Sequence, residues 1–337
     1  MIMTRRHAIG VIGAAAGAAL AAPAIAQGRT IRVGALRFTS HAATFIALER
    51  GLFDEAGLTV EPVFFEAAQP MAVAIASGDV DYAMTAISGG LVSLAEKGAI
   101  KVFGGALSEE KGIPGQAILV SDAAYQAGVT APGMLDGRRF GMTTAGSSFH
   151  YMGSKIAQAE GIGLEFVPLQ KVGAIIGALK TGQVDGWTIV PHIASGLVAS
   201  GEVHRVGEVA EYLPGYQVTT IFGSTVNVAD RELTTAYLGA MNAATSIYNS
   251  TMIDRAGGEE GVAEMVALLQ PYVYPDRTVE EAAPAIIQGT MRLNEGAALN
   301  VASVRDQLEW FQSEGLIDSA ITLEQLIDTS YVETVGS

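Results

Sequence analysis

Few residues in this chain can do covalent or metal chemistry. Cysteine is absent and histidine occurs only five times. That excludes disulfides, thiolate nucleophiles and zinc–cysteine centres, and no His-x-x-x-His spacing offers a metal site. No Gly-x-Ser-x-Gly elbow is present, and "GVIGAAAG" (Gly10–Gly17), which mimics a phosphate loop, lies in an apolar leader. What remains is recognition chemistry. Ser147 and Ser148 follow the strand-like "RRFGMTT", and a helix start offers free N–H groups and partial positive charge to an anion. The same residues also read as a plain N-cap. Ser40 and His41 make the equivalent start after "TIRVGAL", with His41 as a ligand donor or an exposed first-turn residue. Arg37 could grip an anion bidentately or serve a surface ion pair, and Phe38 stands beside it.

Two echoing stretches supply the elements that must position these groups. "AIASGDVDYAMTAISGG" (Ala74–Gly90) and "ALKTGQVDGWTIVPHIASG" (Ala178–Gly196) repeat at an offset of 104 residues. Each reads as a helix stopped by a left-handed glycine (Gly78, Gly182), an aspartate (Asp81, Asp185), a buried strand, then small polar residues. In open α/β sheets ligands bind outside the carboxyl ends of strands. Thr85, Ala86, Ile87 and Ser88 therefore become candidates, as do their echo Val190, Pro191 and His192, and Thr143 and Gly146 before Ser147. Asp79, Asp81 and Asp185 stand at the opposite strand ends and read as solvated turn residues. Trp187 reads as core. Phe222 reads as core or as a stacking surface for an aromatic ligand, and Lys111 and His150 are weaker candidates.

Strand–helix alternation runs from "TIRVGAL" to "QVTTIFGSTVNVAD", and mainly helical segments follow from Arg231. The expected fold is α/β: two similar lobes with mostly parallel sheets, and C-terminal helices. Hydrophobic residues are 49% and charged residues 16% of the 337, which supports large cores. Arg5 and Arg6, an Ala/Gly-rich apolar run and "AIA" at Ala24–Ala26 read as an export leader over 1–26, with a Thr-Arg-Arg that resembles a twin-arginine signal. Ala8 and Gly10 depart from that pattern, and ordinary secretion is the competing route. Without a cysteine at the cleavage point no lipid anchor is expected. Losing both arginines takes the formal charge from −15 to −17, which repels nucleic acid.

The motifs together resemble periplasmic solute-binding proteins of ABC importers, in the nitrate/sulfonate/taurine and thiamine-pyrimidine group. "IRVG" with "HAATFIALERGLFDEAGLTVE", "ASGDVDYAMT", "LDGRRFGMTTAGSSFHYM", "ALKTGQVDG", "EWFQSEGLI" and "LIDTSYV" carry the resemblance. It implies the type II periplasmic binding fold, two Rossmann-like lobes joined by a two-crossover hinge, with crossovers near Gly112–Ser121 and Thr219–Val228. Lobe one would be 29–119 and 222–337, and lobe two 120–221. It further implies a monomer without cofactor or catalysis. That protein would bind a small anionic or aromatic solute and dock on a membrane permease. A ligand-presenting sensor is the alternative. A fungal enzyme branch of the same superfamily relies on a cysteine-rich motif, which this chain lacks.

Overall fold

The computed structural model describes residues 29–336, so the expected leader over 1–26 lies outside the described residues. Ten strands form two sheets. In chain order they are β1 (Arg29–Ala35), β2 (Leu58–Phe64), β3 (Tyr82–Thr85), β4 (Ile100–Ser108), β5 (Ala117–Ser121), β6 (Arg138–Met142), β7 (Leu164–Pro168), β8 (Gly186–Ile189), β9 (Val203–Glu208) and β10 (Gln217–Ser224). The first sheet has the order β2-β1-β3-β10-β4 and the second β7-β6-β8-β5-β9. Within each, the strands expected to be parallel are parallel: β1 with β2 and β3, and β6 with β7 and β8.

The fourth position is the exception in both sheets. β10 runs antiparallel to β3 and β4, and β5 runs antiparallel to β8 and β9. Each reversed strand is the one that has just arrived from the other sheet. The crossings occupy 109–116 and 209–216, and they are lashed together. Glu109 N donates to Tyr216 O (2.8 Å), Gly215 N to Glu109 O (2.9 Å), and Val209 N to Gln116 O (2.8 Å). The second crossing thus lies upstream of the expected Thr219–Val228, because the β-rich run there is β10. That strand belongs whole to the first sheet, so the expected limit at 221/222 cuts through it.

The echoed stretches build the same clasp twice. Gly78 and Gly182 adopt the left-handed φ of +79° and +69° that ends each helix. The neighbouring strand then exchanges two hydrogen bonds with the aspartate. Arg32 N donates to Asp81 Oδ2 (2.8 Å) and Asp81 N to Arg32 O (2.8 Å); Arg139 N donates to Asp185 Oδ2 (3.0 Å) and Asp185 N to Arg139 O (2.8 Å). The arginine side chains reach Gly78 O and Gly182 O. These aspartates are therefore structural rather than solvated, and Asp185 is buried. Around the first sheet the C-terminal helix Arg231–Tyr248 packs on Ala42–Glu49, with Tyr82 stacked on Tyr237 at 4.5 Å. Helix Val279–Gln288 packs against Pro191–Ala199, which covers the second sheet, so the two halves touch. No helix among the described residues is long and apolar enough to cross a membrane.

Candidate functional site

Between the sheets, where the strand ends of both converge, lies a cavity with about 50 Å³ of free space. From the first half it is lined by Leu36, Phe38, Ser40 and His41 after β1, by Ala67 and Ala68 after β2, and by Thr85 and Ala86 at the end of β3. The second half contributes Thr143, Ser147, Ser148 and Phe149 after β6, Val172 after β7, and Ile189 and Val190 at the end of β8. Gln116, Val218 and Thr219 reach it from the reversed strands and their crossings. A larger open groove of about 480 Å³ lies beside the crossings, lined by Tyr151, Lys155, Tyr212, Asn300 and Asp306, but none of the parallel strands of the two five-stranded sheets ends in it.

Nine of the sequence candidates meet at the cavity: Phe38, Ser40, His41, Thr85, Ala86, Thr143, Ser147, Ser148 and Val190. The others lie beside it with other roles. Ser88 caps the helix Gly89–Glu96 by accepting from Leu91 N, and Ile87 is buried core. Gly146, with a left-handed φ of +71°, offers its carbonyl to Gly89 N (2.9 Å) across the seam. Pro191 opens the helix after β8 at an early position that needs no N–H. Phe222 is wholly buried, in register with Ala83 on one side and Val102 on the other. Arg37 is exposed; its guanidinium lies 3.9 Å over the Phe64 ring and donates to Tyr272 O (3.0 Å). Trp187 is core, tilted against Phe149 at 5.3 Å.

The helix starts behave as expected in one case and not in the other. Ser147 caps Ser148–Glu160 by accepting from His150 N (3.4 Å). Ser40 sits inside a 3-10 turn (Thr39–His41) ahead of Ala42–Glu49, and no side chain caps that helix. Gln116, Phe149, Val218 and Thr219 were missed by sequence reasoning. A polar residue set into an apolar run, as in "GQAILV" and "QVTTIF", was the available signal for Gln116 and Thr219.

The lining carries no aspartate, glutamate, lysine or arginine, although acids dominate the chain as a whole. Its polar groups are hydroxyls, one amide and one imidazole. Leu36 N donates to His41 Nδ1 (3.4 Å), which leaves the proton on Nε2; that buried atom has no partner among the described residues. Burial brings His41 down to about 3, so it is neutral. Thr219 Oγ1 is likewise buried without a partner. Several helices begin at the cavity: Ala42–Glu49, Ala68–Ser77, Ser148–Glu160, Val172–Lys180 and Pro191–Ala199. The arrangement can donate hydrogen bonds to an oxygen-rich group and cover an apolar remainder with Leu36, Phe38, Phe149 and Val172. Among the described residues no group of three or more His, Asp or Glu side chains could hold a metal ion.

A family model described as NMT1/THI5 like matches residues 38–250. No curated protein sequence matches the chain. Among solved structures, the alkanesulfonate-binding protein SsuA of Xanthomonas axonopodis pv. citri, bound to MOPS, is 16% identical. It superposes with a TM-score of 0.70 over 90% of this chain and 100% of that one. The periplasmic aliphatic sulphonate binding protein SsuA of Escherichia coli gives 15%, 0.68, 88% and 96%. The periplasmic nitrate-binding protein NrtA of Synechocystis PCC 6803 gives 13%, 0.69, 88% and 83%. At these identities the likeness is one of fold, and the fold is that of periplasmic binding proteins.

Proposed function

Because this chain belongs to the NMT1/THI5-like family, we propose that it is an exported binding protein that closes two lobes on a small organic solute and hands it to the permease of an ABC importer. The observation that carries this reading is the cavity itself. It lies between the carboxyl-end loops of two sheets, and donors and apolar walls come from both sides. Several contacts bridge the seam around it. Thr144 Oγ1 donates to Gln69 Oε1 (3.2 Å), Lys171 pairs with Glu66 (3.3 Å), and Thr39 Oγ1 meets His192 Nδ1 (3.1 Å). Only the lashed crossings would need to bend for the lobes to part. A ligand that bridges the lobes would shift the population towards the closed form, with no bond made or broken. The lobes of this reading follow the sheets, and the hinge is the pair of crossings. Relatives in fold that bind alkanesulfonate or nitrate suggest which solutes to try first.

The test is a thermal-shift panel on the protein without its leader, covering sulfonates, carboxylates, nitrate, pyrimidines and aromatic acids. Ligand at about 100 times its dissociation constant adds about 2.7 kcal/mol and raises the midpoint by a few degrees. A responder recovered chemically unchanged supports the reading. Conversion of the responder, detected by mass spectrometry, would overturn it.

A further inference from the structure

Two imidazoles occupy the seam, one from each side. His41 lines the cavity, wholly buried, and its Nδ1 accepts from Leu36 N–H, so Nε2–H is the donor left over. His192 is the second residue of the helix after β8, and its Nδ1 lies 3.1 Å from Thr39 Oγ1. That hydroxyl donates its single proton to the Gly289 carbonyl (3.0 Å), which can only accept. The Thr39 oxygen must therefore accept from His192, and His192 Nδ1 carries the proton.

Closure thus holds both rings in one neutral tautomer. A second proton on His41 would point Nδ1–H at Leu36 N–H. On His192 it would bury a cation whose Nε2 has no partner among the described residues. The surroundings offer no counter-charge. The titratable groups near them are each other and Tyr274, whose hydroxyl donates to His192 O (3.0 Å) while Arg277 lies over its ring. Phe38 packs edge-on against both rings, at 6.3 and 5.3 Å. No carboxylate bonds or pairs with either ring among the described residues.

We propose that the site takes a small oxyanion through neutral donors alone, His41 Nε2–H foremost, and that closing on it expels protons from His41 and His192. This rests on the cavity being the ligand site. The sign is the opposite of the usual one. An anion beside a solvated histidine favours imidazolium, so binding takes up a proton. Here geometry opposes a second proton, because His41 Nδ1 already accepts from Leu36 N–H and His192 Nε2 has no partner among the described residues, and burial in the ligand-free closed form holds both rings at about 3. Once the seam parts and water returns, they revert towards the ordinary value of about 6.5. Affinity is then full above that value. It falls as pH drops below it, about tenfold per pH unit for each ring that must lose a proton.

The experiment is titration calorimetry with nitrate, methanesulfonate and trifluoroacetate. All three stay ionised from pH 5 to 8, so every proton counted belongs to the protein. Runs at pH 5.5 in two buffers of different ionisation enthalpy give the count. Release of one to two protons, with affinity falling ten- to a hundredfold per unit below about 6.5, is the expected result. His41→Gln keeps a donor near Nε2 and should lower the slope by one proton, as should His192→Asn. A purely packing role would weaken binding at all pH values without changing the slope. Proton uptake, or affinity independent of pH, overturns the proposal. Should a variant fail to fold, the wild-type proton count decides alone. Silence from all three anions overturns the oxyanion class, whereas the binding-protein reading falls only if uncharged solutes are silent too.

Discussion

Thr39 Oγ1 and His192 Nδ1 stand 3.1 Å apart in a buried contact that joins the end of β1 to the end of β8. Behind them Gly289 leaves no room for a side chain. A Cβ there would lie 2.2 Å from His192 Cβ and 2.7 Å from its backbone nitrogen. The close approach is between backbones, so no rotamer change relieves it.

Gly289→Ala should therefore hold the seam open. Overpacking of this kind costs about 1–3 kcal/mol, or about five- to a hundredfold in ligand affinity. Small-angle scattering should show a radius of gyration that no longer contracts when ligand is added. Undiminished affinity would mean that the helix after β8 can shift freely.

The clasp aspartates should govern stability and leave affinity alone. Asp185→Ala removes hydrogen bonds to Arg139 and should cost about 1–3 kcal/mol in urea unfolding. Burial raises the Asp185 carboxyl, but the bonds from Arg139 outweigh it and hold the group below the usual range. A depressed acid contributes its stability above the unfolded value near 4 and loses it as pH falls through the folded one. The variant should accordingly lose part of the acid dependence of the wild type.

Glu109 predicts the opposite slope. Its side chain is buried at the lashed crossings, with Oε1 accepting from Gln116 N (3.1 Å) and Oε2 without a partner among the described residues. Burial pushes it up to about 7, with the Glu208 charge adding to the effect. A raised acid leaves stability full below about 4.5 and erodes it as pH rises to about 7, by about 3 kcal/mol in all. Glu109→Gln should raise the unfolding midpoint at pH 8 and not at pH 4.5.

At the cavity, Ser148→Ala and Thr219→Val should each weaken ligand binding by about five- to tenfold, the worth of one hydrogen bond, with thermal midpoints unchanged. Arg37→Ala should leave affinity intact, because its guanidinium stacks on Phe64 and holds Tyr272 O. A large loss for Arg37→Ala would place a ligand oxygen outside the described cavity.

The echoed Gly-x-Val-Asp turns made both α/β units legible, because a left-handed glycine and a buried strand leave strong local marks. The strand-end rule then pointed to Ser147, Ser148, Thr85 and His41, which line the cavity between the sheets. What the sequence hid depends on partners distant in the chain. Nothing near Arg37 reveals that Phe64 and Tyr272 will claim its side chain. Nothing in "QVTTIFG" reveals that it pairs with β3, more than 130 residues earlier. For the same reason the expected crossings stood downstream of the observed ones at 109–116 and 209–216, and Gln116 and Thr219 were absorbed into apolar runs.

The reversed fourth strands also set an order of events. The first sheet is missing its member between β3 and β4 until Gln217–Ser224 has been made, after every strand of the second sheet. A growing chain must therefore wait with two unpaired strand edges, while its second half has all the strands it needs. Synthesis begins with one half, but completion belongs to the other: the later-made sheet can close first, and the earlier one is finished only by the segment that returns from it.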